Sequence, residues 1–218
     1  MATKPRPASA DRRKQIEEIA TRAFCKQGYA GASMRDIAKE LKTTQAAVYY
    51  HFAAKEEILF SIINAFTEDL LALLRAQFES TQDPALSLRR ALLAHILLLE
   101  THSLETKLVI EEKRSLQSAN KRRIVARERE VFAMYRDRVA TLVSNAQARA
   151  VDPAVAAFAL LGVVNYFLHW YRPKGQLPLR EAAEQSIDLM LGGLLIPQAS
   201  RGREKRPAAR RAANRGAL

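Results

Sequence analysis

The sequence predicts an all-α protein in two parts: a small three-helix head on the N-terminal side and a larger helical domain after it. Apolar residues recur three and four apart along most of the chain. The marks of sheet structure are missing, with no sustained alternation of period two and no Asn-Gly or Asp-Gly hairpin turn. Helix-start and helix-stop residues stand at the borders of the repeats. The 218 residues allow one or two domains, and an apolar share of 48% is enough for a core.

Ile16, Ile19, Ala20, Ala23 and Phe24 form the inner face of a first helix, and Gly28 follows its end, where a left-handed cap suits glycine. Ser33 caps a second helix over 34–41, with Ile37, Ala38 and Leu41 inward and Arg35 and Lys39 outward. A third short helix follows at once over 45–52, capped by Thr43 or Thr44, with Val48 and Phe52 turned inward. Ile58, Ile62, Phe66, Leu70 and Leu73 then make one stripe of a long helix over 55–78. Asp83-Pro84 is a helix start with Pro in the first turn, and Leu88, Leu92, Ile96 and Leu99 repeat the stripe after it. A long charged helix over about 120–149 carries Val131, Tyr135, Val139, Leu142 and Ala146 on one side. Pro153 opens the next helix, which Pro173-Lys174-Gly175 ends. The last runs over 179–196, its apolar surface interrupted by Ser186, Asp188 and Gly192-Gly193. The expected organisation is a basic arm over 1–10, a head over 11–56, a helical domain over 57–198 and a basic tail over 199–218.

Residues 153–171 carry no formal charge over 19 positions, the length of a membrane span. Asn165, His169 and the central Gly162 favour a core or subunit-interface helix instead, and no membrane partner is expected. A single cysteine allows no internal disulfide, and there is no signal-peptide pattern at the start, so a cytoplasmic location is expected.

The formal net charge is +12, which makes nucleic acid or an acidic surface the first partner to consider. Residues 1–14 hold a net +4 and residues 201–218 a net +6, leaving +2 for the rest. Both ends are rich in Ala and Pro with almost no large apolar side chain, and read as flexible arms. Such arms add salt-sensitive attraction to phosphate or serve as solubilising tails.

Two short helices joined by a tight turn describe a helix-turn-helix, whose second helix enters the major groove with its N-terminal residues at the base edges. Small Ala46 and Ala47 let the backbone approach the groove floor, and Gln45 can bond a base edge or phosphate. Tyr49, Tyr50 and His51 lie at the outer and trailing sides, within reach of phosphate oxygens. Lys55 and the start of the following helix add positive potential. The same Tyr-Tyr-His run also fits ordinary packing with exposed tips.

Ser33-Met34-Arg35-Asp36-Ile37-Ala38-Lys39-Glu40, followed by Ala47-Val48-Tyr49-Tyr50-His51-Phe52-Ala53-Ala54-Lys55-Glu56-Glu57-Ile58-Leu59, closely resembles the DNA-binding domain of the TetR family of transcriptional regulators. Ala23-Phe24 and Gly28-Tyr29 match that family's pattern as well. The resemblance implies a three-helix reading head on an all-helical domain that dimerises and holds a small-molecule inducer. Carried over by position, contacts to double-stranded operator DNA fall on Arg35, Thr44, Gln45, Ala46, Tyr49, Tyr50, His51 and Lys55. The chain departs from the family at Lys42, where Gly is usual. A non-Gly residue with positive φ costs on the order of 1 kcal/mol there, and Lys42 is also placed to touch phosphate.

His169-Trp170-Tyr171-Arg172-Pro173-Lys174-Gly175-Gln176-Leu177, then Leu189-Met190-Leu191-Gly192-Gly193-Leu194, resembles the last two helices of the branch of that family that regulates fatty-acid and acyl-CoA degradation. Glu111-Glu112-Lys113-Arg114-Ser115-Leu116 resembles the same branch. The resemblance implies an acyl-CoA effector; no cofactor is expected, and Phe158, Tyr166, Trp170, Arg172 and Lys174 have the chemistry of ligand-binding candidates. An acyl-CoA needs an apolar tunnel and cations for its phosphates. Aromatic residues at this spacing also fit core or dimer interface. Glu111 and Arg114, three apart, read as a pocket pair or, more simply, a surface ion pair.

No enzyme is expected. His51, His95, His102 and His169 have no His-Glu-x-x-His spacing, there is no phosphate-cradling glycine loop and no Gly-x-Ser-x-Gly elbow. His95 and His102 share one helical face and read as core, solvent-edge or pocket-lining residues. Cys25 reads as a small, partly buried side chain. The resulting expectation is a homodimeric repressor, paired through its last two helices in a four-helix bundle, with recognition helices about 34–36 Å apart. Regulation by hydrophobic drugs or aromatic metabolites, and general coating of DNA through the basic arms, are the alternatives.

Overall fold

The computed structural model describes residues 9–173, 175 and 177–197. The expected tail over 199–218 and all but the last two residues of the expected N-terminal arm lie outside them. The elements in order are α1 (Ser9–Gly31), α2 (Met34–Glu40), α3 (Gln45–His51), α4 (Lys55–Glu79), α5 (Pro84–Leu97) and α6 (Leu99–Lys107). A π-helical turn (Leu108–Glu112) and a 3-10 turn (Lys113–Ser115) follow, then α7 (Ser118–Ser144), α8 (Pro153–Trp170) and α9 (Leu179–Leu194). Among the described residues there is no strand, only one isolated antiparallel bridge between Ala148 and Leu195.

Two cores organise the chain. The head core gathers Ile16, Ala20, Phe24, Ile37, Val48 and Phe52 with Ile58, Leu59 and Ile63 of α4. Leu108, Leu116 and Ile124 join it from far downstream. The larger core begins at Leu70 and Leu71 on the same α4 and continues through α5, α7, α8 and α9. α4 is therefore one rod shared by both cores. Its outer edge is laced to α7 by polar contacts: Asn120 Nδ2 donates to Glu56 at 2.9 Å, Arg123 stacks over Phe60, Arg127 pairs with Glu68, and Arg75 pairs with Glu130 at 3.0 Å.

The start signals act as read from the sequence. Ser33 and Asp36 form a capping box, Thr44 caps α3, and Asp83 and Asp152 each cap a helix whose first residue is Pro. Gly28 breaks α1 with φ 75° and ψ 157°, a positive φ as expected but with extended ψ, and one more turn follows before α2.

Three helical expectations are corrected. The charged helix ends at Ser144, not near 149, because Ala146 turns the chain with φ 52° and so faces no helical stripe. α5 ends at Leu97 and α6 starts anew, with its backbone broken at His102 (φ −129°, ψ 33°), so His95 and His102 do not share a face. Glu111 lies 3.9 Å from Lys107, not against Arg114, because the π-turn carries the two out of helical register.

Candidate nucleic-acid interface and helical-domain cavity

α2 and α3 are seven residues each and joined by a turn in which Lys42 takes φ 54°, the left-handed conformation expected where glycine is usual. The turn closes with Thr43 N–H donating to the Ala38 carbonyl at 3.0 Å. Val48 and Phe52 are fully buried, which fixes the rotation of α3 and turns its other side out. Arg35, Thr44, Gln45, Ala46, Tyr49 and Tyr50 are all exposed, Tyr50 at 84%. His51 is half-buried, its ring edge-on to Tyr50 with centroids 5.1 Å apart. Thr44 Oγ accepts from Ala47 N–H at 3.2 Å, which leaves the hydroxyl proton free to donate. The outer face of α3 is thus a row of small and polar residues at its start and aromatic tips behind.

Lys55 is engaged within the head. Its ammonium donates to the carbonyls of Tyr29 at 2.6 Å and Ala32 at 2.7 Å and sits 4.2 Å from the Tyr29 ring centre. It braces the α1–α2 link. Sequence reasoning also missed Arg13, which donates to the His51 carbonyl at 2.5 Å and stacks 3.9 Å over Phe52, holding the rear end of α3. Only its helical phase relative to Ile16 could have signalled that.

Among the described residues, the ligand candidates do not come together around a cavity. Phe158 and Tyr166 are 68% and 61% exposed, on the outer side of α8, because Ala156, Ala157, Leu160, Val164 and Phe167 take the inner side. Phe158 meets Phe132, and Trp170 meets Phe167. Arg172 bends back to the His169 carbonyl at 2.9 Å. Lys174 lies outside the described residues. Val155, Phe158, Gly162 and Tyr166 instead form an exposed stripe of α8 at helical spacing, and Leu189, Gly192 and Gly193 of α9 are exposed as well. A Cβ placed on any of these three glycines would meet nothing within 4 Å. Among the described residues, α8 is also the helix long and apolar enough to cross a membrane, with 28% of it buried.

A cavity of about 60 Å³ lies elsewhere, between Phe66 and Leu70 of α4, His95 of α5, Thr106 of α6, Val109 and Ile110 of the π-turn, and Val164 of α8. It holds a few waters at most, whereas metabolite pockets run to several hundred Å³. A ligand must therefore push its walls apart. The wall formed by α6 and the π-turn is tied to the head: Lys107 Nζ donates to the Cys25 carbonyl at 3.2 Å, and Tyr29 N–H donates to Glu112 at 3.1 Å. Burial raises the Cys25 thiol to about 11, against the opposing pull of Lys107, so the thiol stays protonated and unreactive at neutral pH. His95 was one of several readings in the sequence; the rest of the cavity wall carried no signal there beyond apolar content.

Residues 16–62 match the family described as bacterial regulatory proteins, tetR family, and residues 81–194 match the tetracyclin repressor-like C-terminal domain. The HTH-type transcriptional repressor KstR2 of Mycobacterium tuberculosis is 25% identical over 185 residues, covering 84% of this chain and 92% of that one. PfmR, a TetR family regulator of Thermus thermophilus, superposes with TM-score 0.77 at 31% identity, covering 82% and 97%. AibR, solved with isovaleryl coenzyme A and operator DNA, superposes with TM-score 0.77 at 28% identity, covering 82% and 97%.

Proposed function

Because the chain belongs to the TetR family of bacterial transcriptional regulators, we propose that it represses genes of lipid or acyl-CoA breakdown and leaves its operator when an acyl-CoA occupies the helical domain. Members of the family bind operator DNA and effectors, function as dimers and are not enzymes. The observation that carries the reading is the mechanical continuity between the cavity and the reading helix. One wall of a space too small for its ligand is bonded to α1, and a second wall, α4, begins at the brace that Lys55 makes under the head. A ligand that widens the cavity shifts both. It releases DNA by binding better to a dimer whose heads are wrongly spaced. The AibR complex supports an acyl-CoA, since that protein holds isovaleryl coenzyme A on the same fold.

Contacts to DNA are assigned in this reading to Arg35, Thr44, Gln45, Ala46, Tyr49, Tyr50 and His51. The apolar stripe of α8 with Leu189 and the open glycines of α9 is the surface that pairs with a second copy, as a four-helix bundle about a two-fold axis. Glycine at the seam lets the helices approach closely. That pairing explains why an apolar helix is left uncovered in one chain.

The test uses operator DNA selected in vitro from a random library. Isovaleryl-CoA, octanoyl-CoA, long-chain acyl-CoA, the free fatty acid and CoA alone are titrated against the complex by fluorescence anisotropy. Release by at least one acyl-CoA and by neither free acid nor CoA is expected. Release by none of them, with release by aromatic or drug-like compounds, overturns the acyl-CoA reading.

A further inference from the structure

One wall of the cavity carries a polar pair that the surrounding apolar residues do not require. Tyr135 of α7 is fully buried in the larger core, and its hydroxyl lies 3.2 Å from His95 Nδ1. The two rings stack at 6.1 Å, and Phe78 meets Tyr135 edge-on at 5.2 Å. His95 keeps some accessible surface and lines the cavity beside Phe66, Leu70 and Val164.

The direction of the bond follows from what each group loses. If His95 Nδ1 donated, the buried phenol proton would be left without a partner, and an unmade donor costs more than a spare lone pair. The phenol therefore donates to Nδ1. Burial pulls His95 down to about 4 from 6.5, so the ring is neutral and its one proton sits on Nε2. Among the described residues no hydrogen bond holds Nε2, and the His95 side chain lines the cavity.

Resting on the reading that this cavity takes the effector, we infer that His95, oriented by Tyr135, presents an Nε2–H donor that selects effectors whose apolar chain carries a carbonyl oxygen. An apolar ligand without such an acceptor leaves the N–H dry and unpaired. A neutral hydrogen bond of this kind discriminates by about tenfold. Tyr135 is a positioning residue, since it touches His95 and not the ligand.

Long-range 1H–15N spectra of histidine-labelled protein read the tautomer with no ligand present. The Nε2–H form, unchanged from pH 8 to pH 5.5, is expected; an Nδ1–H form or a charged ring in that range overturns the inference. Octanoyl-CoA and its thioether analogue S-octyl-CoA, which lacks the carbonyl, are then titrated calorimetrically. The thioester should bind the wild type about tenfold tighter. H95L should bind both equally, while H95Q, which keeps an N–H donor, restores part of the preference. Equal binding by the wild type, or discrimination retained by H95L, overturns the inference. 2-Decanone, which has the carbonyl and no CoA, serves as a second probe on the His95 resonances. A shift with 2-decanone but no binding of octanoyl-CoA overturns the acyl-CoA reading and upholds this one; no shift with either probe overturns this one.

Discussion

Lys42 holds φ 54° in the turn between the two helices of the head, a conformation glycine takes freely and lysine does not. Lys42→Gly should raise stability by about 1 kcal/mol in denaturant unfolding, through the midpoint and not the slope. Lys42 was legible because a known pattern marked the position. Ala146, with φ 52°, was not, since nothing about an alanine announces a left-handed turn and the apolar stripe runs straight through it. His95 makes a pH-dependent contribution whose direction can be derived. The unfolded chain takes up this proton near pH 6.5 and the folded chain only near 4, so between those values the unfolded state binds more protons. Stability is full above about 6.5 and falls as the pH drops towards 4. Going from pH 7 to pH 5 should cost about 2 kcal/mol from this group, and thermal unfolding of His95→Leu should lack that component.

α3 is legible from its caps and its two buried positions, because Val48 and Phe52 alone fix which side faces out. Gln45→Ala and His51→Ala should both weaken operator binding, and Gln45→Ala should also alter base preference in the selected sites. Lys55→Ala should behave differently. Its loss unpairs two carbonyls under the head, so destabilisation by about 2 kcal/mol is expected with an unchanged salt slope of binding. Sequence spacing placed Lys55 near phosphate but could not show that the carbonyls of Tyr29 and Ala32 converge on it. α6 was invisible for another reason: Leu99–Lys107 buries no residue, so it has no stripe to read. The π-turn after it anchors Leu108 in the head core. The bond from Tyr29 N–H to Glu112 crosses this junction. Glu112→Ala should leave effector binding within about threefold, while DNA release then needs several-fold more effector, read by anisotropy.

Most helices and their inward faces are legible in the sequence because stripes and caps are local, whereas the joining of Leu108, Leu116 and Ile124 to the head core is not. The assembly follows only once the folded helices show which stripes stay uncovered. Phe158, Tyr166 and Trp170 fit a ligand box as well as core or interface in the sequence, and α8 turns them outward. Leu189, 80% exposed, lies in the proposed dimer seam. Leu189→Arg should move the sedimentation coefficient from dimer to monomer and abolish tight operator binding, since one head spans only one half-site. Chemical footprinting of the full chain on its selected operator tests whether a two-fold dimer places one recognition helix in each of two major grooves. Two protected major-groove patches related by symmetry are expected, their centres one helical turn or a small multiple apart, both lost on Gln45→Ala/His51→Ala substitution. A continuous, sequence-independent protection that survives those substitutions would contradict that placement.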